Sequence, residues 1–215
     1  MKTLAFLARK GGAGKTTLAV HLAVAAVQAG RRVLLVDADP QGSAAGWWRA
    51  RTAPAPELVE CEAGEVEQVV AAARQDRVDL VVVDTRPSVE ADAAAVARVA
   101  DLVLIPTRPS ILDLRAIGAT VELVQSLRTR AFIVLNAVPA GRGGAEAALT
   151  IEARAALAGY GLPVLPVALG ARSPFSHALV DGRAVTEFDP KGSAATELRA
   201  LYCYAEEQLW PSGRP

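Results

Sequence analysis

The stretch Lys10-Gly11-Gly12-Ala13-Gly14-Lys15-Thr16-Thr17 stands between two apolar segments and decides how the rest of the chain is interpreted. Residues 4–8, before it, have the character of a buried strand, and residues 18–29, after it, that of a helix. Glycines let backbone N–H groups turn around an oxyanion, and the helix N-terminus adds roughly half a unit of positive charge. The stretch is therefore predicted to be a phosphate-binding loop for a nucleotide polyphosphate.

The loop departs from the usual phosphate-loop pattern, G-x-x-x-x-G-K-[ST], in one respect. That pattern requires a glycine five residues before Gly14, but Arg9 stands there and an additional lysine, Lys10, follows it. Lys15 is placed to reach the β- and γ-phosphates, and the hydroxyl of Thr16 is placed to complete the shell of a Mg²⁺ ion. The loop is thus a deviant form with one extra cation.

Length and composition limit the classes of protein to consider. With 215 residues, 52% of them hydrophobic, the chain is expected to form a single domain over 1–215 with a frayed tail at 211–215. No apolar run approaches the roughly 20 residues that span a bilayer, and the start does not resemble a signal peptide, so we expect a cytoplasmic protein. The formal net charge is zero, so nucleic acid or a membrane would have to be recognised by a local patch.

Short runs of Val, Leu and Ile alternate with longer alanine-rich segments along the whole chain. The runs are continuous rather than alternating, which is typical of strands buried on both faces. Strand and helix in alternation predict a doubly wound, mostly parallel α/β sheet flanked by helices. After the first strand, the predicted strands are 33–36, 80–83, 102–105, 132–135 and 164–167, and the predicted helices are 64–74, 90–99, 111–128, 145–158 and 193–209.

Polar residues follow these strands directly. Asp37 and Asp39 come after the second strand, Asp84 after the next and Asn136 after a later one. Ligands of such sheets lie beyond the carboxyl ends of the strands, so these side chains are expected to face the phosphate loop. Carboxylates in that position would repel a phosphate unless Mg²⁺ stood between them. The sequence therefore predicts a magnesium-nucleotide site.

The K-G-G-x-G-K-T-T string resembles the deviant Walker A box of the ParA/MinD family of ATPases. The segment 36–42 resembles the switch I box of that family, and 84–87, Asp-Thr-Arg-Pro, resembles its Walker B and switch II region. The resemblance implies a P-loop NTPase fold with ATP and Mg²⁺ as cofactors. It further implies that Lys10 crosses a dimer interface to the partner's nucleotide, that Asp39 orients the attacking water, and that Asp37 supports the metal and the loop.

The site residues implied in this way fall into three groups. The catalytic group is Lys10, Lys15 and Asp39. The metal group is Thr16, Asp37 and Asp84. The nucleotide-binding group is Gly11, Gly12, Ala13, Gly14, Lys15, Thr16, Thr17, Asn136 and Pro166.

The assignments of Asn136 and Pro166 depend on less specific sequence signals, and Arg86 departs from the family pattern. In the family, the position of Asn136 contacts adenine through its amide, and the segment around Pro166 forms the other wall of the base pocket. An Asn after a strand is also a common turn former, so a purely conformational role for Asn136 stays open. Arg86 replaces the small residue or proline that the family shows, and we expect its guanidinium to face water.

Residues 183–188 resemble the carboxyl-terminal signature of small plasmid-type ParA proteins. Because no residues precede the first strand, we expect no helix-turn-helix extension and no operator reading. The final helix leans acidic, which argues against the basic membrane-binding helix of MinD-like members. The resemblance implies non-specific DNA binding by the ATP-bound dimer, although acidic residues interrupt the basic ones. The candidate DNA-contacting residues are Arg172, Arg183, Lys191 and Arg199.

The leading functional hypothesis is a nucleotide-switched positioning ATPase. ATP would close a homodimer that associates with the nucleoid, and a ParB-like or other adaptor on the cargo would stimulate hydrolysis. The cargo is left open between a plasmid and a protein assembly. The alternative is a synthetase, a reductase-activating ATPase or a bacterial tyrosine kinase on the same scaffold. Two distant cysteines, Cys61 and Cys203, and the absence of a tyrosine-rich tail weigh against the last two.

Overall fold

The computed structural model describes residues 1–87, 90–141, 143 and 145–211, so most of the predicted tail 211–215 lies outside the described residues. Six parallel strands form one sheet in the order β3-β2-β4-β1-β5-β6. The strands are β1 (Lys2–Phe6), β2 (Val33–Ala38), β3 (Glu57–Glu60), β4 (Leu80–Thr85), β5 (Leu102–Thr107) and β6 (Ala131–Leu135).

Helices cover both faces of this sheet. They are α1 (Lys15–Gln28), α2 (Ser43–Ala50), α3 (Val66–Gln75), α4 (Glu90–Val99), α5 (Ile111–Ala116), α6 (Gly118–Ser126), α7 (Ala148–Ala158), α8 (Ser173–Leu179), α9 (Val185–Phe188) and α10 (Ser193–Leu209). The doubly wound α/β fold is confirmed. Among the described residues, no helix is long and apolar enough to cross a bilayer.

The side chains of each central strand divide between two hydrophobic cores. In β1, Leu4 and Phe6 pack with α1 and α10 on one face, whereas Ala5 packs with α3, α4 and α6 on the other. All three residues are 2% exposed or less. Burial on both faces explains why the strands are apolar at every position and why the sequence pattern is continuous.

The segment 164–167, predicted to be a strand, is not one. Val164 forms only an isolated parallel bridge with Ile133. The Leu165 N–H donates to the Ile133 carbonyl (2.8 Å), but the Leu165 carbonyl accepts from the Arg154 guanidinium (2.6 Å). Contact with β6 resumes only at Leu169, whose N–H donates to the Leu135 carbonyl (2.9 Å). An arginine side chain thus takes the place of a ladder bond, and the backbone bulges away from β6.

Other boundaries differ where short elements lack a strong pattern. The predicted helix 111–128 is divided at Ile117 into α5 and α6, and the sequence interpretation missed β3, α8 and α9. Strand β3 reads Glu-Leu-Val-Glu, with both glutamates exposed, so it carries too little apolar sequence to be recognised. The 193–209 helix is confirmed at both ends as α10.

His21 connects α1 to the carboxyl-terminal elements. The ring is fully buried; its Nδ1 accepts a hydrogen bond from the Val185 N–H (3.1 Å) and its Nε2 lies 3.1 Å from the Phe175 carbonyl. Since Nδ1 accepts, the proton of the neutral ring resides on Nε2 and is donated to Phe175. Burial lowers the pKa of His21 to about 4, against the weaker effects of Phe175 and Glu187. The imidazole is a buried group whose two ring nitrogens both have hydrogen-bond partners.

Candidate functional site

A cleft of about 630 Å³ opens beyond the carboxyl ends of β1, β2, β4, β5 and β6. Its floor is the phosphate loop, defined here as residues 10–17. One wall carries Asp39, and the opposite wall is formed by Asn136, Ala137 and the segment 170–173. The topology that places strand ends together thus gathers Lys15, Thr16 and Asp39 around one space, as the sequence predicts.

The phosphate loop is bent by two glycines in the left-handed region. Gly12 has φ +74° and Gly14 has φ +103°, and α1 begins immediately afterwards at Lys15. Such values are accessible to glycine at little cost and are strained for other residues. Lys15 is only 6% exposed, and burial lowers its pKa despite the charges of Asp84 and Asp39. The loop therefore places a partly desolvated cation and a helix N-terminus at the cleft floor.

Asp84 is the most unusual group of the site. It is fully buried, and neither carboxylate oxygen receives a hydrogen bond from any described residue. Burial raises the pKa of Asp84 to about 7; the nearby Thr16 hydroxyl opposes this shift, the Asp37 carboxylate adds to it, and the positive charge of Lys15 opposes it. A buried carboxylate without a donor is unfavourable unless a cation balances it. The donor set of Asp84 and the Thr16 hydroxyl consists of hard oxygen atoms, which fits Mg²⁺.

Asp37 lies in register with Asp84 on the adjacent strand but has different partners. Its Oδ1 accepts from the Asp39 N–H (3.1 Å) and its Oδ2 from the Ala45 N–H (2.9 Å). Burial raises the pKa of Asp37, and these backbone donors act against the shift. Asp37 therefore holds the turn that carries Asp39. The Asp39 carboxylate is half-buried in the cleft and accepts one bond, from the Gln41 N–H (2.9 Å).

In the single chain, Lys10 forms an ion pair with a carboxylate of the same chain. Its Nζ lies 2.8 Å from Oδ2 of Asp113, which also accepts a bond from the Ser110 hydroxyl. Asp113 is 6% exposed; burial acts to raise its pKa, but Lys10 and Ser110 hold it below the usual value. In a lone chain, the extra cation of the phosphate loop is thus neutralised by a carboxylate of α5.

Two predicted base contacts are placed differently from the expectation. The amide Nδ2 of Asn136 donates to the Ala13 carbonyl of the phosphate loop (2.9 Å), so it is engaged within the protein. Pro166 is exposed and does not line the cleft; its carbonyl accepts from Arg154 (2.9 Å). The bulge that ends contact with β6 at Leu165 carries Pro166 outward, and the segment 170–173 forms the wall instead.

The contacts of two arginines near the phosphate loop could be seen only in the structure. Arg86, expected to face water, pairs with Asp92 at the start of α4 while its side chain remains 40% exposed. Arg108 was not predicted as a site residue. It lines the cleft, and its Nη2 lies 3.7 Å from the position that a Cβ would take on Gly12. An arginine directly after β5 was the available signal, because β5 adjoins β1 in the sheet.

The four candidate DNA-contacting residues do not form an unpaired basic surface. Arg172 is bound to Glu197 (2.7 Å) and Arg183 to Asp181 (2.7 Å), while Arg199 donates to the Pro190 carbonyl (2.8 Å). Lys191 is exposed, and among the described residues no carboxylate lies within ion-pair distance of it. The acidic residues interspersed in the sequence thus neutralise two of the four.

A parallel sheet with a glycine-bent loop, a buried lysine and strand-end carboxylates defines a P-loop nucleotide-binding protein. A family model described as the CobQ/CobB/MinD/ParA nucleotide binding domain matches residues 4–185. The chain belongs to this family, and the ParA/MinD resemblance is confirmed.

Relatives named for carboxysome distribution match almost the whole chain. "Maintenance of carboxysome distribution protein A" of Gloeobacter kilaueensis is 35% identical over 211 residues, covering 97% of this chain and 94% of the relative. The protein of the same name in Halothiobacillus neapolitanus is 34% identical, covering 93% and 94%. The chromosome partitioning protein ParA of Caulobacter vibrioides is 42% identical over 77 residues, or 35% of this chain and 29% of the relative.

Solved structures support the fold. Apo McdA of Cyanothece superposes with a TM-score of 0.79 at 20% identity, covering 98% of this chain and 100% of that one. MinD of Pyrococcus horikoshii, solved with Mg-ADP, superposes with a TM-score of 0.80 at 15% identity, covering 100% and 99%. At these identities the likeness shows the fold alone, which is that of ParA/MinD P-loop NTPases.

Proposed function

We propose that this chain is an ATP-hydrolysing positioning protein whose cargo is a large protein assembly. The observation that carries the proposal is the deviant phosphate loop facing Asp39 and the unpartnered Asp84, in a chain whose near full-length relatives are named for carboxysome distribution. A plasmid is the second candidate cargo. The alternative of a synthetase or kinase on the same scaffold has no comparable support.

Each side chain of the cleft has a distinct part in the proposed hydrolysis. The N–H groups of residues 11–14 and the hydroxyls of Thr16 and Thr17 surround the phosphates, and the buried Lys15 neutralises their charge. Asp39, fixed by the turn that Asp37 holds, orients the attacking water. These contributions are positional and electrostatic, because phosphoryl transfer requires little covalent participation by the protein.

The magnesium ion would be held by the Thr16 hydroxyl and, directly or through a water molecule, by Asp84, with Asp37 supporting this region. When bound, Mg²⁺ neutralises the charge of the β- and γ-phosphates. Asp84 supplies a negative group that has no competing donor among the described residues. Lys15 acts on this carboxylate as a charge but donates no hydrogen bond to it, so the Asp84 oxygens are available to a metal ion.

Lys10 is proposed to act across a dimer interface. Its present partner is the buried Asp113 of α5, which directly follows the exposed side chains of Ile111 and Leu112. Dimer closure would exchange the contact with Asp113 for one with the partner's nucleotide. Charge supplied in trans is worth on the order of 10³-fold or more in other phosphoryl-transfer enzymes.

Light scattering coupled to gel filtration tests this proposal. The wild-type chain is expected to double its molar mass with ATP and Mg²⁺, but not with ADP or without nucleotide. Lys10→Ala should remain monomeric with ATP and lose stimulated turnover, whereas Asp39→Ala should form the dimer without turnover. The matched control is Arg9→Ala, which removes a neighbouring cation that is paired with Glu90 (3.6 Å) and should dimerise normally. Dimer formation by Lys10→Ala that equals wild type would refute the trans role.

DNA binding and the adaptor belong to the same proposal. The ATP-bound dimer would bind nucleoid DNA without sequence preference through Arg172, Arg183, Lys191 and Arg199, and an adaptor protein on the cargo would stimulate hydrolysis and release. Support for DNA contact comes from the family resemblance. Pull-down of either cargo type with the ATP-locked Asp39→Ala dimer distinguishes the candidates, because only the true adaptor is enriched over the Lys10→Ala monomer.

A further inference from the structure

Arg108 is attached to a tightly held part of the backbone at the edge of the cleft. Strand β5 ends at Thr107, which is 1% exposed and whose carbonyl accepts a hydrogen bond from the Asn136 N–H (2.8 Å). On the other side of Arg108, Pro109 is buried and Ser110 caps α5. Because a proline fixes its own φ and restricts the residue before it, the backbone of Arg108 has few alternative conformations. The fold therefore determines where this side chain begins.

The side chain of Arg108 lies beside the first half of the phosphate loop. Strand β5 pairs with β1 in the parallel sense, and the loop follows β1 directly. The guanidinium lines the cleft, and its Nη2 lies 3.7 Å from the position that a Cβ would take on Gly12. Since Gly12 has no side chain, nothing of that residue separates the guanidinium from the backbone of the loop at this point.

The guanidinium of Arg108 differs from that of Arg172, the other arginine known to line the cleft. Arg172 is bound to Glu197 at 2.7 Å. Within the described part of the chain, Arg108 is in no ion pair, and its one hydrogen bond involving a side chain is made by its backbone carbonyl, which accepts from the Thr107 hydroxyl (3.4 Å). The five N–H donors of this guanidinium are therefore available to water or to an anion.

The charges around the first half of the loop leave one cation in excess. Lys10 and Asp113 form an ion pair at 2.8 Å and cancel each other. Burial acts to raise the pKa of Asp113, but hydrogen bonds from Lys10 and Ser110, together with the charges of Lys10 and Arg108, hold it below the usual value. An arginine stays protonated in proteins, and its planar fork offers parallel N–H donors that match two phosphate oxygens. The chemistry of this position thus fits a phosphate group.

We propose that Arg108 binds the polyphosphate of the nucleotide within the same chain, before any dimer forms. This inference rests on the proposed nucleotide site and adds to it a residue that the phosphate-loop motif does not contain. Lys15 approaches the phosphates from the start of α1, and Arg108 approaches them from the end of β5. Because Asp113 holds Lys10 in the single chain, Arg108 is the cation that remains for the ligand beside Gly12.

Calorimetry with ADP and with inorganic pyrophosphate, each with Mg²⁺, tests this role in the full chain. ADP is chosen because the chain is expected to stay monomeric with it, which light scattering of the same sample checks. We expect Arg108→Ala to weaken both ligands by about 10-fold, the loss of one charge-assisted hydrogen bond, and Arg108→Lys to recover part of the loss. The matched control is Arg115→Ala, which removes an exposed arginine of α5 outside the cleft and should leave both affinities unchanged.

The results that overturn the inference differ from those that overturn the proposed function. Wild-type affinities in Arg108→Ala would refute the role of Arg108 and leave the nucleotide site intact. A loss confined to ATP in the dimer, with ADP unaffected, would place Arg108 across the interface and refute its action within one chain. A wild-type chain that binds neither ADP nor pyrophosphate would contradict the proposed function itself.

Thermal melting separates ligand binding from a structural role of the same side chain. Because Arg108 has no ion-pair partner among the described residues, Arg108→Ala should melt at the wild-type temperature without ligand. Saturating wild type with ADP and Mg²⁺ should raise its melting temperature, and the rise should be smaller in Arg108→Ala at the same ADP concentration. A lower melting temperature of the variant without ligand would show that the guanidinium stabilises the protein itself and would overturn the inference.

Discussion

At the scale of single residues, the neighbouring carboxylates Asp37 and Asp84 are both buried but differ in their hydrogen-bond partners. Both are at most 2% exposed, but Asp37 is satisfied by two backbone donors, whereas Asp84 has none among the described residues. Burial disfavours both ionised carboxylates, but the two backbone N–H donors offset part of that cost at Asp37, and Asp84 has no such donor among the described residues. We therefore expect the two residues to respond differently when the charge is replaced by an amide.

Asp84→Asn is expected to melt at least as high as wild type at pH 8 without magnesium. The pKa of Asp84 is raised to about 7, so between pH 4 and 7 the unfolded carboxyl loses its proton before the folded one does. The free energy of unfolding of the wild type therefore falls as pH rises through this range. Melting curves at pH 5 and pH 8 test this, and the advantage of the variant should disappear at pH 5.

Two comparisons make the Asp84 experiment decisive. Asp37→Asn should lower the melting temperature at pH 8, because one of its backbone bonds loses an acceptor. Added Mg²⁺ and ADP should stabilise the wild type but not Asp84→Asn. Equal destabilisation by the two substitutions would contradict the view that the Asp84 charge is only partly compensated in the absence of a metal ion.

Motif residues were predictable because their positions are tied to strand ends. Lys15, Thr16 and Asp39 come together in the cleft since the loop and β2 end at the same edge of a parallel sheet. The partners of Lys10 and Asn136 were not predictable. Asp113 and Ala13 lie 103 and 123 residues away from them in sequence, and no local pattern links the members of either pair.

At the scale of elements, α1 is held to α8 and α9 by a histidine that must stay neutral. The folded pKa of His21 is lowered from 6.5 to about 4, so the unfolded state takes up a proton first when pH falls. The free energy of unfolding should therefore decrease between pH 6.5 and pH 4, by up to about 3 kcal/mol from this residue. Urea denaturation at a series of pH values measures the change.

The control variants isolate His21 from other titrating groups. His177→Ala removes the exposed histidine of α8 and should leave the pH profile as in wild type. His21→Leu should be less stable at pH 8, because Val185 and Phe175 lose their partner, but its stability should vary less between pH 6.5 and 4. A profile for His21→Leu as steep as that of wild type would show that another group accounts for the acid sensitivity.

Element prediction succeeded where burial dictated sequence and was wrong where side chains replaced backbone contacts. The central strands and α10 are visible in the sequence because a doubly covered sheet and an amphipathic helix impose strong periodicities. The segment 164–167 is equally apolar, but Arg154 occupies the carbonyls of Leu165 and Pro166. The hydropathy of a segment predicts that it is buried, but it does not predict which groups form hydrogen bonds with its backbone carbonyls.

At the scale of the whole molecule, non-specific DNA binding depends on which basic groups are available. If the ATP-bound dimer binds DNA, affinity should fall steeply with salt and require ATP. Lys191→Ala should weaken binding more than Arg183→Ala, since Arg183 is already paired with Asp181 and a phosphate must compete with that carboxylate. Fluorescence anisotropy with a random duplex at several salt concentrations gives both quantities.

The same measurements at several salt concentrations can also contradict the proposed DNA binding. Retention on DNA without ATP, or an affinity that does not change with salt, would remove the proposed nucleoid association. Equal losses for Lys191→Ala and Arg183→Ala would mean that the Asp181 pair opens at no cost when the dimer meets DNA.

The two edges of the sheet, β3 and β6, are each protected against strand addition, but in different ways. Beside β6, the bulged backbone near Val164 and Leu165 already occupies the flank. Strand β3, on the opposite flank, has four residues and an exposed glutamate at each end, features that discourage intermolecular strand addition. Neither flank favours a continuous sheet between subunits, which agrees with the proposed dimer, in which the copies meet at the loops above the strand ends and not edge to edge.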